Sequence, residues 1–284
     1  MRHCRKTSLL FLWKVLQFKF LALFLIVGLA DNVTAAENVT FLASKPFVSK
    51  KLFLKAELYK PPAKGPRPSV ILMHGCGGLG PNVYNSLRSH ALYFLRRGFV
   101  VLIVDSFGPR QSGNGWVCKT FKRLRQARNY RTSDALDAVK FLKTKTFVDK
   151  NNIFFMGQSN GGSVALLLAQ LNKKTSAFRA VAAYYPWCGA LKSKRVKLSS
   201  PLIIFGGKQD DWVPPTQCSK STSATKTLKT IIYPNAAHSF DLNIPVQRYL
   251  GKRVGRDRFA TRDSRRQMYM FFKQNLNVAS NNVL

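Results

Sequence analysis

The sequence predicts an α/β domain with a mainly parallel central sheet and helices on both faces. Two observations carry this. Short, nearly continuous apolar runs recur at residues 69–73, 99–104, 153–156, 180–184, 202–205 and 230–233, as expected of strands covered on both faces. Between them lie segments with helical spacing: 83–97 behind Pro81, 133–143 opening on Ser133 as a cap, 162–171 rich in small and apolar residues, and 261–275 closing the domain. Strands alternating with helices wind into a parallel sheet. Ahead of the first run, residues 52–59 alternate apolar and polar side chains and suit a half-exposed edge strand, and the Pro- and Gly-rich stretch at 60–68 then breaks structure.

A chain of 284 residues with 46% hydrophobic content accommodates one domain with a sizeable core, expected over 37–284. Residues 1–36 read as a targeting segment, with Arg2, Arg5 and Lys6 ahead of an apolar run at 20–30. That run falls short of the roughly 20 residues a bilayer span needs, and Lys14 and Lys19 interrupt any longer stretch. A removed signal peptide, cleaved after Ala35 or Ala36, is therefore expected rather than a membrane anchor, and with it a periplasmic or secreted location. In an oxidising compartment the remaining Cys76, Cys118, Cys188 and Cys218 allow two disulfides. Sequence alone leaves all the pairings open, although Cys188 and Cys218 each follow a predicted strand end and so could meet on one rim.

The charge is extreme, with 46 Lys and Arg against 12 Asp and Glu, a formal net of +34. Cations concentrate at 119–131, 192–197 and 248–266. Such a field draws the chain toward anionic envelope surfaces. No nucleic-acid-binding motif accompanies it, so no specific nucleic-acid partner is expected. The histidines show no metal-ligand spacing, and neither a metal nor a cofactor is implied.

The chemistry lies in Gly157-Gln158-Ser159-Asn160-Gly161, a G-x-S-x-G pattern set between a predicted strand and a predicted helix. That context fits a tight strand-to-helix turn that lifts a serine Oγ at the carboxyl edge of the sheet. A serine hydroxyl becomes a nucleophile when an imidazole takes its proton, and beyond Ser159 the chain holds one histidine, His238. Between the two stand Asp210 and Asp211 and no glutamate, so the order Ser, acid, His is available. A developing oxyanion needs preorganised N–H donors. Asn160 N–H is one candidate, and Cys76 N–H, to within one residue in the loop His74-Gly75-Cys76-Gly77-Gly78, is the other. His74 precedes the serine and reads as structural.

In this order the blocks VILMHGCGGL, FVVLIVDSFGPR, RTSDALDAVKFL, GQSNGG, IFGGKQDDWVP and YPNAAHSFD resemble the dienelactone hydrolase family of the α/β-hydrolases, over roughly residues 68–275. The resemblance implies the α/β-hydrolase fold, with Ser159 in the nucleophile position, Asp210 as acid and His238 as base. The namesake enzymes carry cysteine where this chain has serine, which favours a general carboxylic-ester hydrolase over a dedicated lactonase. Spacing alone leaves Asp210 and Asp211 equivalent. The family's G-x-x-D-x-x-x-P arrangement, met here by Gly207, Asp210 and Pro214, implies that Asp210 turns inward while Asp211 caps a helix near Pro215. Arg110 stands on the same sheet edge as a candidate for steering a substrate carboxylate, with Asp105 as its structural partner.

The expected activity is hydrolysis of a small-molecule ester or lactone through an acyl-enzyme on Ser159. Acyl transfer or peptide hydrolysis would use the same three residues, and a basic envelope-binding protein without turnover is the reading from another class.

Overall fold

The computed structural model describes residues 36–46, 51–172, 177–191, 195–223 and 227–277, and the segment read as a signal peptide lies outside them except for Ala36. In chain order the elements are β1 (Glu37–Leu42), β2 (Phe53–Tyr59), β3 (Arg67–Met73), α1 (Pro81–Leu95), β4 (Val100–Asp105), α2 (Phe121–Lys143), β5 (Val148–Gln158) and α3 (Asn160–Ala169). There follow β6 (Val181–Tyr184), β7 (Arg195–Val196), β8 (Leu202–Gly207), α4 (Thr216–Ser219), β9 (Thr222–Ser223), β10 (Leu228–Tyr233), β11 (Gln247–Tyr249), β12 (Lys252–Val254) and α5 (Arg258–Gln274).

An 8-stranded sheet runs in the order β1-β2-β4-β3-β5-β6-β8-β10. Strand β2 pairs antiparallel with both β1 and β4, and the pairs from β4 to β10 are parallel. The edge strand expected at 52–59 is thus an interior one, because β1 covers its outer side. Nothing in the periodicity of 52–59 distinguishes an edge from a second strand, since one buried face suffices for the alternation.

The buried runs explain themselves by period two. In β4, Val100, Leu102 and Val104 join the core on one face of the sheet while Val101 and Ile103 join the core on the other. Strands β3 and β8 divide in the same way, with Ile71 and Ile204 on the first face and Leu72 and Ile203 on the second. Helices α2 and α3 close the first face through Ala135, Ala138, Val164 and Leu168, and α1 and α5 close the second through Leu87, Phe94, Met268 and Phe272. Each large apolar side chain so removed from water contributes about 1.5–3 kcal/mol, and this two-sided burial holds the sheet.

Helix α2 begins at Phe121, well ahead of the expected start at 133, because Thr120 caps it by accepting a hydrogen bond from Arg123 N–H at 3.2 Å. Its first turns carry the cations at 119–131, whose weak apolar periodicity hides the helix from sequence reading. At the other end Asp257 caps α5 by accepting from Ala260 N–H at 2.7 Å.

Two disulfides form, Cys76–Cys118 and Cys188–Cys218. The second closes a separation of 30 residues and joins the segment after β6 to α4. Among the described residues no helix is long and apolar enough to cross a membrane. Chain-entropy arguments give a loop of that length about 3–4 kcal/mol. Replacing both Cys188 and Cys218 with alanine is therefore expected to lower the melting temperature by roughly 10 °C, measured by circular dichroism against the oxidised wild type.

Candidate active site

The parallel sheet has a switch point between β3 and β5, where successive strands depart in opposite directions, and ligands in open α/β sheets bind outside the carboxyl ends at such points. Ser159 stands there. Its backbone has φ 51° and ψ −111°, a conformation rarely taken by a residue with a side chain, and it is fixed by Ser159 N–H donating to Tyr184 O at 2.9 Å and Ser159 O accepting from Ser163 N–H at 2.8 Å. The turn closes because its neighbours lack side chains. A Cβ on Gly157 would strike Gly161 O, and one on Gly161 would lie 2.7 Å from Met73 O and His74 O.

Ser159 Oγ lies 3.0 Å from His238 Nε2, and His238 Nδ1 lies 2.7 Å from Asp210 Oδ2. The other carboxylate oxygen of Asp210 accepts from Trp212 N–H and Val213 N–H, each at 2.9 Å, so the acid is clamped by the turn that follows it. His238 is held by its backbone as well, donating from N–H to Arg253 O at 3.3 Å and accepting from Gly255 N–H at 3.1 Å. Both side chains are buried, and the rings of Tyr185 and Trp212 pack on the imidazole at 4.7 and 5.1 Å.

Cys76 lines the cavity into which Ser159 opens. Asn160 is the first residue of α3, where backbone N–H groups have no partner within the helix, while its side chain is buried away from the cavity. Arg131 joins these two segments. Fully buried on α2, it donates to Asn160 Oδ1 at 2.8 Å and to His74 O at 2.6 Å. Burial pulls its guanidinium down to about 10, so it remains a cation at neutral pH. His74 accepts at Nε2 from Ser106 N–H at 3.3 Å and donates from Nδ1 to Gly75 O at 2.7 Å. Burial, with Arg131 beside it, keeps this imidazole neutral.

A second buried centre lies behind Ser159. Asp241 Oδ2 meets His90 Nε2 at 2.8 Å, Gln158 Nε2 at 2.7 Å and Ser86 Oγ at 3.2 Å, and Oδ1 accepts from Tyr185 OH at 2.6 Å. One carboxylate thereby ties α1 to the residue before Ser159 and to the ring that packs on His238. Burial works to raise the Asp241 carboxyl, but hydrogen bonds from His90, Tyr185 and Gln158 hold it below the usual range. His90 is lowered by burial and then by Arg265.

Residues 54–276 match the dienelactone hydrolase family. The chain belongs to that family. A lactone is a cyclic carboxylic ester, the kind of bond for which the family is named. An acetylxylan esterase of Coprinopsis cinerea is 29% identical over 114 residues, a match spanning 39% of this chain and only 30% of that relative. The fold is shared with a Klebsiella pneumoniae protein assigned as a dienelactone hydrolase, at TM-score 0.62 and 16% identity over 84% of this chain and 99% of that one. It is also shared with an esterase of Thermogutta terrifontis solved with propionate, at TM-score 0.58 and 18% identity over 85% and 95%.

The structure brings Ser159, His238, Asp210 and Cys76 together, and three expectations need correction. Arg110 does not reach the cavity: it is buried, donates to Asp134 Oδ1 and Oδ2 at 2.8 and 2.9 Å, and spends its remaining N–H groups on Ser106 O, Lys45 O and Pro46 O. Its partner is therefore Asp134, whereas Asp105 accepts from Phe107 and Gly108 N–H in the turn after β4. Asp211 caps no helix; it accepts from Arg253 N–H at 2.7 Å and Arg248 Nη1 at 3.3 Å and so holds the hairpin of β11 and β12. Sequence reading missed Arg131, Asp241, Trp212 and Tyr249. Arg131, Asp241 and Trp212 stood inside blocks already singled out, but no periodicity marks a buried polar partner.

Burial pulls the imidazoles of His74 and His90 below their ordinary range in the fold, while in the unfolded chain each takes a proton near pH 6.5. Below that pH the unfolded state binds more protons, so stability falls as pH drops. The melting temperature is expected to decline between pH 7.5 and 5, and His90→Gln, though less stable at pH 7.5, should show a shallower decline.

Proposed function

We propose that the chain is an exported serine hydrolase that cleaves carboxylic esters of small molecules through an acyl-enzyme on Ser159. The observation that carries this is the continuous relay from Ser159 Oγ through His238 to Asp210, opening on a cavity at the sheet's switch point.

In this reading Asp210 accepts from Nδ1–H and leaves Nε2 free to take the Ser159 proton as Oγ attacks the ester carbonyl. The tetrahedral oxyanion is received by the N–H groups of Cys76 and Asn160, each such donor being worth about 10²–10³ in rate. Asn160 also stands at the positive end of the α3 dipole. Arg131 acts through both segments: its fork fixes Asn160 and the carbonyl of His74, and its charge lies behind the site where negative charge develops. His238 then protonates the leaving alcohol, and a water deprotonated by the same imidazole releases the acid. The Cys76–Cys118 disulfide ties the oxyanion loop to the loop before α2, and two disulfides in one chain favour an oxidising compartment, in keeping with the basic and apolar start of the sequence.

Ser159→Ala is expected to remove hydrolysis of 4-nitrophenyl esters and labelling by a fluorophosphonate probe without changing the circular dichroism spectrum. Labelling at wild-type rate would place the nucleophile elsewhere.

The two adjacent aspartates should separate in steady-state kinetics. Asp210→Asn is expected to lower kcat by on the order of 10⁴ through loss of the imidazole tautomer. Asp211→Asn, which loosens only the hairpin, should leave kcat within a few fold and raise KM. The reverse pattern would move the acid to Asp211.

A further inference from the structure

The cavity beside Ser159 has a volume of about 470 Å³, enough for an acyl group and an alcohol of drug-like size. Among the described residues no lysine, arginine, aspartate or glutamate lines it, although the chain carries 46 Lys and Arg. Its titratable side chains are His238, Tyr185 and Tyr249. Most of the lining is apolar and aromatic, with the neutral amides of Asn82, Asn114, Gln158 and Gln247 among it. Val83, Leu242, Ile244 and Val254 contribute to it, and Trp212 and Tyr249 form a wall with ring centroids 5.9 Å apart that continues onto His238. Tyr249 also approaches Gly115, another lining residue, its hydroxyl lying 2.7 Å from where a Cβ on Gly115 would sit.

Four cations near the cavity, Arg110, Arg131, Arg248 and Lys252, are engaged elsewhere. Arg110 is locked onto Asp134 and backbone carbonyls inside the fold. Arg248 and Lys252 reach Asp211 on the exposed side of the hairpin. Arg131 points its fork at Asn160 and His74 O, behind the loops rather than into the cavity. A substrate carboxylate entering this cavity would leave water without meeting a countercharge, which is strongly unfavourable.

We infer that the substrate is an uncharged ester whose apolar, ring-bearing part lies against Trp212 and Tyr249, and that carboxylate-bearing esters and lactones are excluded. This rests on the serine hydrolase reading above. The basic surface acts against it at long range, because a strong positive field draws anions toward the mouth. Salt removes that field and leaves the short-range desolvation cost in place.

The test compares 4-nitrophenyl butyrate with 4-nitrophenyl hemisuccinate, which differ at the acyl end by a carboxylate, in about 0.5 M NaCl where surface charges are screened. The neutral ester is expected to show kcat/KM at least about tenfold higher, the scale on which pockets reject a poorly matched group. With 1-naphthyl butyrate, Tyr249→Ala should raise KM about three- to tenfold with kcat within twofold, the range that an aromatic contact supplies, and Tyr249→Phe should restore it. Fluorophosphonate labelling of Ser159 is measured in the same samples. If Ser159 is labelled and the hemisuccinate is turned over as well as the butyrate, or Tyr249→Ala leaves KM unmoved, the inference fails and the serine hydrolase reading stands. If Ser159 takes no label and neither ester is cleaved, both fail.

Discussion

The left-handed backbone at Ser159 is the constraint on which the site depends. A non-glycine residue in that region costs about 1–3 kcal/mol and persists only where its surroundings leave no alternative. Here the surroundings are backbone. Gly157, Gly161 and Gly162 let β5, α3 and the ends of β3 and β6 approach within the space of a missing Cβ, so the turn cannot relax without separating strands buried on both faces. The side chain is left projecting from the carboxyl edge, and the loops after β3, β8 and β10 bring their groups to it.

Around that turn the fold spends two fully buried polar centres. Asp241 collects donors from α1, β5 and the loop after β6, while Arg131 collects acceptors from α3 and the loop after β3. A buried charge is costly in proportion to the hydrogen bonds it lacks, and Arg131, whose Nε has no partner among the described residues, depends the more on the two acceptors it has. Each centre therefore penalises displacement of any element it joins. Ser159 sits between an anionic anchor on one side and a cationic anchor on the other, and the second faces the segments that would receive an oxyanion.

Much of this was legible in the sequence, for physical reasons that differ by element. Parallel strands announce themselves because both faces are buried, and β3, β4, β6, β8 and β10 fall within a few residues of their apolar runs. The candidate serine was legible from its G-x-S-x-G setting between a strand and a helix, and the histidine and acid because their types are scarce and their order is constrained. Strand β1 and the hairpin of β11 and β12 were not, since short strands with exposed faces carry no lasting periodicity. Arg110 misled because its position in the chain, next to a carboxyl edge, says nothing of where a long side chain turns. Arg131 and Asp241 were invisible for the converse reason: a buried charge is defined by partners brought from 29 and 83 residues away.

Asp210 and Asp211 are consecutive, yet they serve opposite sides of one peptide unit. The first turns inward to His238, and the second turns outward to the hairpin whose Tyr249 lines the cavity. Arg253 and Gly255, at the base of that hairpin, also grip the backbone of His238. The hairpin that contributes to the cavity lining and the imidazole beside Ser159 are thus mechanically joined at two places. The tip is itself a tight turn in which Leu250 and Gly251 both take positive φ, at 49° and 75°, so the hairpin that carries Tyr249 is shaped at one end by its own turn and at the other by the imidazole it holds.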